Sequence, residues 1–300
     1  MADEHLARLR RLAHDLRVAP GTKVELPHGF DPKHTAGFVQ ESDAAAALEA
    51  GVKSLAHYQA RLAAQDTYGV LVVLQALDAA GKDGAIKHVM SGVNPQGVNV
   101  RSFKVPSVEE LNHDFLWRYA RELPARGGIG IFNRSHYEEV LVVRVHPENL
   151  DRQHLPEEAR GKDVWARRFR EINDWERHLT DNGIRVVKLF LNVSKQEQRN
   201  RLLARIDDPA KNWKFSAADL VERGFWPAYQ HAYSEMLSHT STEWAHWHVV
   251  PADHKWFARV AVAAVVVDAL ATIDPHFPKL DAAALAVLGK AREQLTAEKP

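Results

Sequence analysis

The chain has 300 residues, 45% hydrophobic and 26% charged, enough for one large domain or two small ones. It contains no cysteine, which excludes disulfides, thiolate catalysis and cysteine-ligated zinc or iron–sulfur centres. With 39 basic and 39 acidic residues there is no global field to recruit nucleic acid or a membrane, so any polyanion must be held by a local basic cluster.

In chain order, the start "MADEHLARLRRLAHDLRV" carries charges where an export signal would need an unbroken apolar segment, and a cytoplasmic location is expected. An irregular Pro/Gly/His stretch, "APGTKVELPHGFDPKHTAGF", precedes a helical pattern from Ser42 to Gln65, so residues 1–65 read as an N-terminal helical extension. From there short apolar runs alternate with longer helical patterns, the signature of βαβ units and a parallel sheet. Strands are expected near Val70–Gln75, Val98–Lys104, Ile129–Phe132, Val186–Asn192 and Trp247–Val250. Helices are expected over Ala85–Ser91, Val108–Glu122, Asp163–Asn182, Lys195–Arg205, Trp226–His239 and His254–Ile273. The run Val260–Ile273 is shorter than a membrane span and holds Asp268, which makes it a buried core helix. These elements place a central domain at 66–275 and a terminal helix within 276–300.

The stretch "LVVLQALDAAGKDGAIKHV", Leu71–Val89, runs strand, turn, Gly81-Lys82, helix. In a P-loop the backbone N–H groups of such a turn face phosphates, the helix adds its positive end, and a lysine reaches the outer phosphates. Ala79, Ala80, Gly81, Asp83 and Gly84 are the candidate cradle and Lys82 the lysine. The strict pattern is missed twice: Ala76 replaces the first glycine and Asp83 the magnesium-binding Ser/Thr. A plain strand-to-helix turn would explain Gly81 but not Asp78, whose carboxylate could hold the Mg2+ that Ser/Thr has lost.

A second strand end, "GGIGIFNRSHYEEVLVVRVH", carries Asn133 where a metal-binding acid is usual, then Arg134, which would face the crevice at the carboxyl ends of the strands. Downstream, "NRLLARIDDPAKNWKFSAADL" combines Arg201, Arg205, Lys211 and Lys214 with the breaker Asp208-Pro209 and reads as a cationic lid at about 205–222. Three other patterns carry less. His246 and His248 lack a third metal ligand at a recognisable spacing. Trp165, Phe169, Ile172 and Trp175 fit a core helix face. Adjacent Glu138-Glu139 cannot be set across a sugar as a glycosidase pair.

Together "QALDAAGKDGAIKHV", "PSVEELNHDFLWR", "FNRSHYEEVLVVRVHPE", "DDPAKNWKFSAADL" and "VPADHKWFAR" resemble the polyphosphate kinase 2 family from about Leu71 to Arg259. The resemblance implies an α/β, P-loop kinase-like three-layer sandwich with a parallel sheet of about five strands and a helical lid. It implies that Asp78, Lys82, Arg134 and Arg205 are catalytic, and that Asn133, Arg118, Glu138, Lys211 and Lys214 join the cradle in binding phosphate or nucleotide. Asp78 and Asn133 would be the metal ligands, for Mg2+ with Mn2+ as an alternative. Asn133-Arg134 stands in the place of the family's Asp-Arg pair, and "FNRSHYE" resembles the branch accepting both AMP and ADP. The implied partners are inorganic polyphosphate, AMP, ADP and ATP, without nucleic acid or membrane, in a homo-oligomer (dimer or tetramer). Arg118, Arg121, Arg126 and Arg134 are expected to form a basic groove for the polyphosphate chain. A nucleoside monophosphate kinase using ATP and a non-catalytic polyphosphate- or nucleotide-binding module are the alternatives.

Overall fold

The five expected apolar runs are the five strands of one parallel sheet: β1 (Gly69–Ala76), β2 (Val98–Ser102), β3 (Ile129–Asn133), β4 (Ile184–Asn192) and β5 (Trp247–Pro251). The computed structural model describes residues 2–298; Met1, Lys299 and Pro300, at the outer ends of the expected terminal units, lie outside the described residues. Helices α1 (Ala2–Asp15), α2 (Glu41–Gln65) and α3 (Lys82–Val89) are followed by the single turns α4 (Val108–Leu111), α5 (Trp117–Ala120), α6 (Val142–Val145) and α7 (Glu148–Asp151). Then come α8 (Val164–Asp181), α9 (Lys195–Asp207), α10 (Ala217–Gly224), α11 (Trp226–Thr240), α12 (Lys255–Ile273) and α13 (Ala282–Ala297).

Strand order is β2-β3-β1-β4-β5. β1 is therefore central, with β3 on one side and β4 on the other, and the connections diverge at its carboxyl end. Open α/β sheets bind ligands at such a switch point. All eight residues of β1 are buried, as expected of a strand covered on both faces. Val70, Val72, Leu74 and Ala76 pack into the layer of α1, α2, α3 and α12, whereas Leu71 and Val73 pack into the layer of α8 and α11.

Helix α12 is apolar all round, with Val260–Leu270 buried, so it needs cover on every side. The N-terminal segment supplies part of that cover: Leu9, Leu12, Leu55 and Leu62 are buried in the same core cluster. The one acid in the apolar run, Asp268, accepts from Arg10 Nε (2.9 Å) and Arg17 Nη2 (2.6 Å), which ties α1 to α12.

One expected helix is broken. Val108–Glu122 forms the two turns α4 and α5, because Asp114 Oδ1 accepts from the Leu116 N–H (2.9 Å) and His113 folds back to the Glu109 carbonyl and stacks on Trp117 at 3.8 Å. Such local side-chain bonds offer the backbone an alternative to the helical ladder.

On the α8/α11 face the sheet buries a charged network. Lys188 Nζ donates to Glu176 Oε2 (2.6 Å), Tyr137 Oη (3.0 Å) and the Thr240 carbonyl (2.5 Å), and Tyr137 Oη donates to Glu176 Oε1 (2.8 Å). Removing one partner of such a buried pair costs about 3–5 kcal/mol. The network fixes the turn at His136-Tyr137, two residues past Arg134.

Candidate active site

The turn Leu77–Gly81 leaves β1 at the switch point. Ala79 (φ 61°) and Gly81 (φ 109°) are both left-handed, and a side chain at Gly81 would be strained there. Ala79, Ala80 and Gly81 line the cleft, turns of this kind form anion-binding concavities, and α3 begins directly after Gly81, adding its positive end. The loop's carbonyls are tied by Arg201, which is buried at the edge of the cleft. Its Nη1 donates to the carbonyls of Ala79 (3.2 Å) and Ala80 (2.7 Å), its Nη2 to those of Ala252 (2.5 Å) and Asp253 (3.0 Å), and its Nε to Glu197 (2.7 Å). Arg201, expected among the lid cations, instead spends its four Nη contacts on holding the loop and the β5–α12 connection in register, while its Nε is held by Glu197 on its own helix.

A cleft of about 970 Å³ opens over this loop, with Lys82, Arg134, Arg205, Lys211 and Lys214 on its walls. Lys82 is only 9% exposed and donates to the Ala76 carbonyl at 2.8 Å. Burial, and next the charge of Arg134, push its ammonium down to about 8. Arg134, at left-handed φ 64°, donates to Asp78 Oδ1 at 2.6 Å and faces Glu138 at 3.6 Å. Glu138 foremost, and Asp78 against the opposing effect of burial, hold the guanidinium above its ordinary value. Burial raises the Glu138 carboxyl despite Arg134. Glu138 lies behind Arg134, in a narrow side cavity with Trp226, Tyr229 and Tyr233, rather than on the main cleft wall.

Asn133 Nδ2 donates to Asp83 Oδ1 at 2.7 Å, so the structure joins two residues that the sequence placed fifty positions apart. Gly84 lines the cleft beside them, with open space where a Cβ would stand. Arg205 pairs with Asp219 at 3.0 Å and donates to the Lys214 carbonyl at 3.3 Å. Burial, then the charge of Asp78, raise the Asp219 carboxyl. Lys211 is paired with Asp208, and Lys214 Nζ sits 5.0 Å above the Trp213 ring.

The expected arginine groove is not assembled. Arg118 is spent on Glu110 (3.3 Å) and the Lys104 carbonyl (3.0 Å), and Arg121 lies over the Trp117 ring. Arg126 donates to the Asn182 carbonyl, just ahead of β3 and β4 and so at the opposite end of the sheet from Arg134. The groove reading failed because distance along the chain does not tell which end of a strand a residue occupies. In their place the cleft gathers Lys104, just past β2, and Lys255 and Arg259 from the start of α12. Lys255 and Arg259 lie in "VPADHKWFAR", just past the expected strand Trp247–Val250, whereas Lys104 is the last residue of the expected strand Val98–Lys104. His248 is buried in β5 against the Lys188 carbonyl (3.1 Å) and does not line the cleft, and burial pushes its imidazole down to about 3.

The family described as Polyphosphate kinase 2 matches residues 39–278. An ADP-polyphosphate phosphotransferase of Rhodopseudomonas palustris is 49% identical over 283 residues, 93% of this chain and 96% of that protein. An AMP/ADP-polyphosphate phosphotransferase of Meiothermus ruber is 45% identical over 270 residues, 89% of this chain and 96% of that one. The crystal structure of polyphosphate kinase 2 from Arthrobacter aurescens TC1 superposes with a TM-score of 0.83 at 42% identity, covering 93% of this chain and 96% of the other.

Proposed function

Since the chain belongs to the polyphosphate kinase 2 family, we propose that it moves the terminal phosphoryl group of inorganic polyphosphate onto AMP or ADP, forming ADP or ATP and a chain one phosphate shorter. The observation that carries this reading is the meeting of Lys82, Arg134 and Arg205 in one cleft over the left-handed turn at the switch point. Phosphoryl transfer asks for positioning and charge neutralisation rather than covalent chemistry. An acceptor phosphate oxygen forms the new P–O bond, and the electron pair of the broken bond stays on the departing chain. The acceptor phosphate is already anionic at neutral pH, so no general base is needed. Lys82 swings from the Ala76 carbonyl to the phosphates, while Arg134 and Arg205 neutralise the transferring oxygens.

Asp78, Asp83 and Asn133 each keep a side-chain oxygen without a hydrogen-bond partner among the described residues, and all three line the cleft. So few protein oxygens suit Mg2+, which is held by one or two carboxylates together with substrate phosphates and water. When bound, the ion supplies charge neutralisation at the phosphates; Asp78, with Asn133, would hold it, and Mn2+ fits the same donors. Residues 66–275 are then the phosphotransferase domain with a lid at about 205–222, flanked by the extension 1–65 and the helix within 276–300. The reading takes the enzyme as cytoplasmic and homo-oligomeric, a dimer or tetramer, working without nucleic acid or membrane. Neutral net charge supports the absence of a nucleic-acid or membrane partner, and the exposed Leu285, Leu288 and Leu295 of α13 support self-association.

The test is an assay of purified protein with AMP or ADP, with and without polyphosphate. ATP from ADP plus polyphosphate supports the reading. ADP formed only from AMP plus ATP identifies a monophosphate kinase, and binding without turnover identifies a binding module. A polyphosphate chain spanning Lys104, Lys211, Lys214, Lys255 and Arg259 releases several counterions, so its KM should rise with KCl far more steeply than that of ADP. Parallel, shallow dependences would count against a chain-length donor.

Arg205→Ala should lower kcat by about tenfold or more with little change in KM, because its contact strengthens on transfer and its loss also frees Asp219. An effect on KM alone would reduce Arg205 to ground-state binding. Asn133→Asp sets a carboxylate against Asp83, so the Mg2+ titration and the AMP to ADP preference should both move. Unchanged curves for both would remove Asn133 from the metal's surroundings.

A further inference from the structure

Helix α10 buries none of its own side chains. Three polar contacts fasten it: Asp219 to Arg205, Glu222 to Tyr229 Oη (2.6 Å) and His146, and Arg223 to α9. Elements held in this way open at low cost compared with packed ones. The third contact differs from the others because it continues inward. Arg223 Nη1 donates to the Lys195 carbonyl (2.8 Å) and to Gln198 Oε1 (2.7 Å), and Gln198 Nε2 donates to the backbone carbonyl of Asp78 (3.0 Å).

We propose that Gln198 is a positioning residue that, together with Arg223, relays the position of α10 to Asp78 in the phosphate loop. Gln198 is 3% exposed, and its amide has one workable orientation. Turned over, it would point its NH2 at a guanidinium and its oxygen at a carbonyl. With α10 in place, Arg223 fixes the amide and the amide fixes the Asp78 carbonyl, while Arg134 fixes the Asp78 carboxylate. When α10 moves away, Gln198 Oε1 loses its charged donor, the amide is free to turn, and Asp78 keeps only its side-chain anchor. Arg201, one turn further along α9, holds Ala79 and Ala80 and has no hydrogen bond or ion pair to α10 among the described residues, so the relay acts on Asp78 and leaves the rest of the cradle set. The residue proposed to serve the metal is thereby in register only while the cationic segment is docked, which discourages transfer in an open, water-filled cleft.

The test is a double-mutant cycle on the full chain with Gln198→Leu, Arg223→Leu and the pair, read in two ways. Hydrogen exchange followed by mass spectrometry on the peptide covering Leu77–Gly84 needs no turnover. Arg223→Leu, a change on α10, should speed exchange in that peptide as much as Gln198→Leu does, and the double variant should add nothing. The kinetic arm rests on the phosphotransferase reading: each single variant should lose about tenfold in kcat, the scale of one hydrogen bond, with KM for polyphosphate within about twofold and the double variant no worse. Arg223→Lys should recover part of the loss, and Gln198→Glu, which still accepts from Arg223 but cannot donate to Asp78, should not. Unchanged loop exchange in Arg223→Leu, or multiplicative losses in the double variant, would overturn the relay. A wild-type protein inactive with polyphosphate would instead overturn the function reading and leave the exchange result to decide the relay. If Gln198→Leu does not fold, Arg223→Leu at its half-exposed position still decides by the same exchange measurement.

Discussion

Lys82→Ala should lower kcat by about a hundredfold or more, the scale of losing one electrostatic partner of the transition state. A phosphate lysine standing in a solvated crevice could be truncated with the fold untouched. The structure buries it against the Ala76 carbonyl, so alanine also leaves that carbonyl without a donor, and Lys82→Met, which refills the stem, is the cleaner variant. Because burial pushes the ammonium down to about 8, the free enzyme loses this charge as pH passes 8, whereas bound phosphates restore it. The rate constant kcat/KM for polyphosphate reports the free enzyme and should fall above about pH 8, while kcat holds to higher pH. Lys82→Arg, always charged, should flatten that alkaline limb. Stability runs the other way. The folded form releases the proton more readily than the unfolded chain, so the penalty of the buried charge is full below pH 8 and is relieved as pH rises from 8 toward the ordinary lysine value. A wild-type kcat/KM that stays level from pH 7 to 10, or near wild-type kcat in Lys82→Met, would remove Lys82 from the phosphate site.

The strands were legible because central parallel strands are near-continuous apolar runs, and Val70–Leu74 and, apart from Lys188, Val186–Leu191 read that way without help from period or motif. The loop was legible because Gly81 and Lys82 stand directly between such a run and a helix. Arg201 and Gln198 were not. A polar side chain on a helix looks the same in sequence whether it meets water or a buried carbonyl, and only the packing of α9 against the loop decides it. The break between α4 and α5 was missed for a related reason: helix period continued through Asn112-His113-Asp114, while the local bond from Asp114 to the Leu116 N–H won. Lys104, Lys255 and Arg259 come to one cleft from two segments because β2 and β5 lie at opposite edges of the sheet and both end on the same side. That convergence follows from strand order, which periodicity does not carry. The burial of α1 and α2 on α12 had a signal that could have been used, since a helix apolar on all faces implies cover beyond the sheet.

Asp78→Asn should also cost about a hundredfold in kcat, and its metal dependence separates two roles that the geometry combines. The carboxylate is held by Arg134 at 2.6 Å and the backbone carbonyl by Gln198 at 3.0 Å, so asparagine keeps the place and one oxygen but loses the charge. If Asp78 serves the metal, the Mg2+ midpoint should shift to higher concentration and part of the lost rate should return at high Mg2+, since a neutral oxygen is the weaker ligand. If Asp78 only orients Arg134, the loss should ignore Mg2+, because Glu138 remains beside the guanidinium and no ligand has been weakened. The same substitution removes a negative charge that helps raise the Asp219 carboxyl, so Asp219 should titrate lower in the variant. A variant with raised Mg2+ requirement, reduced kcat and unchanged KM for ADP fits the metal role. Near wild-type turnover at limiting Mg2+ would exclude Asp78 from the metal and from the transfer alike.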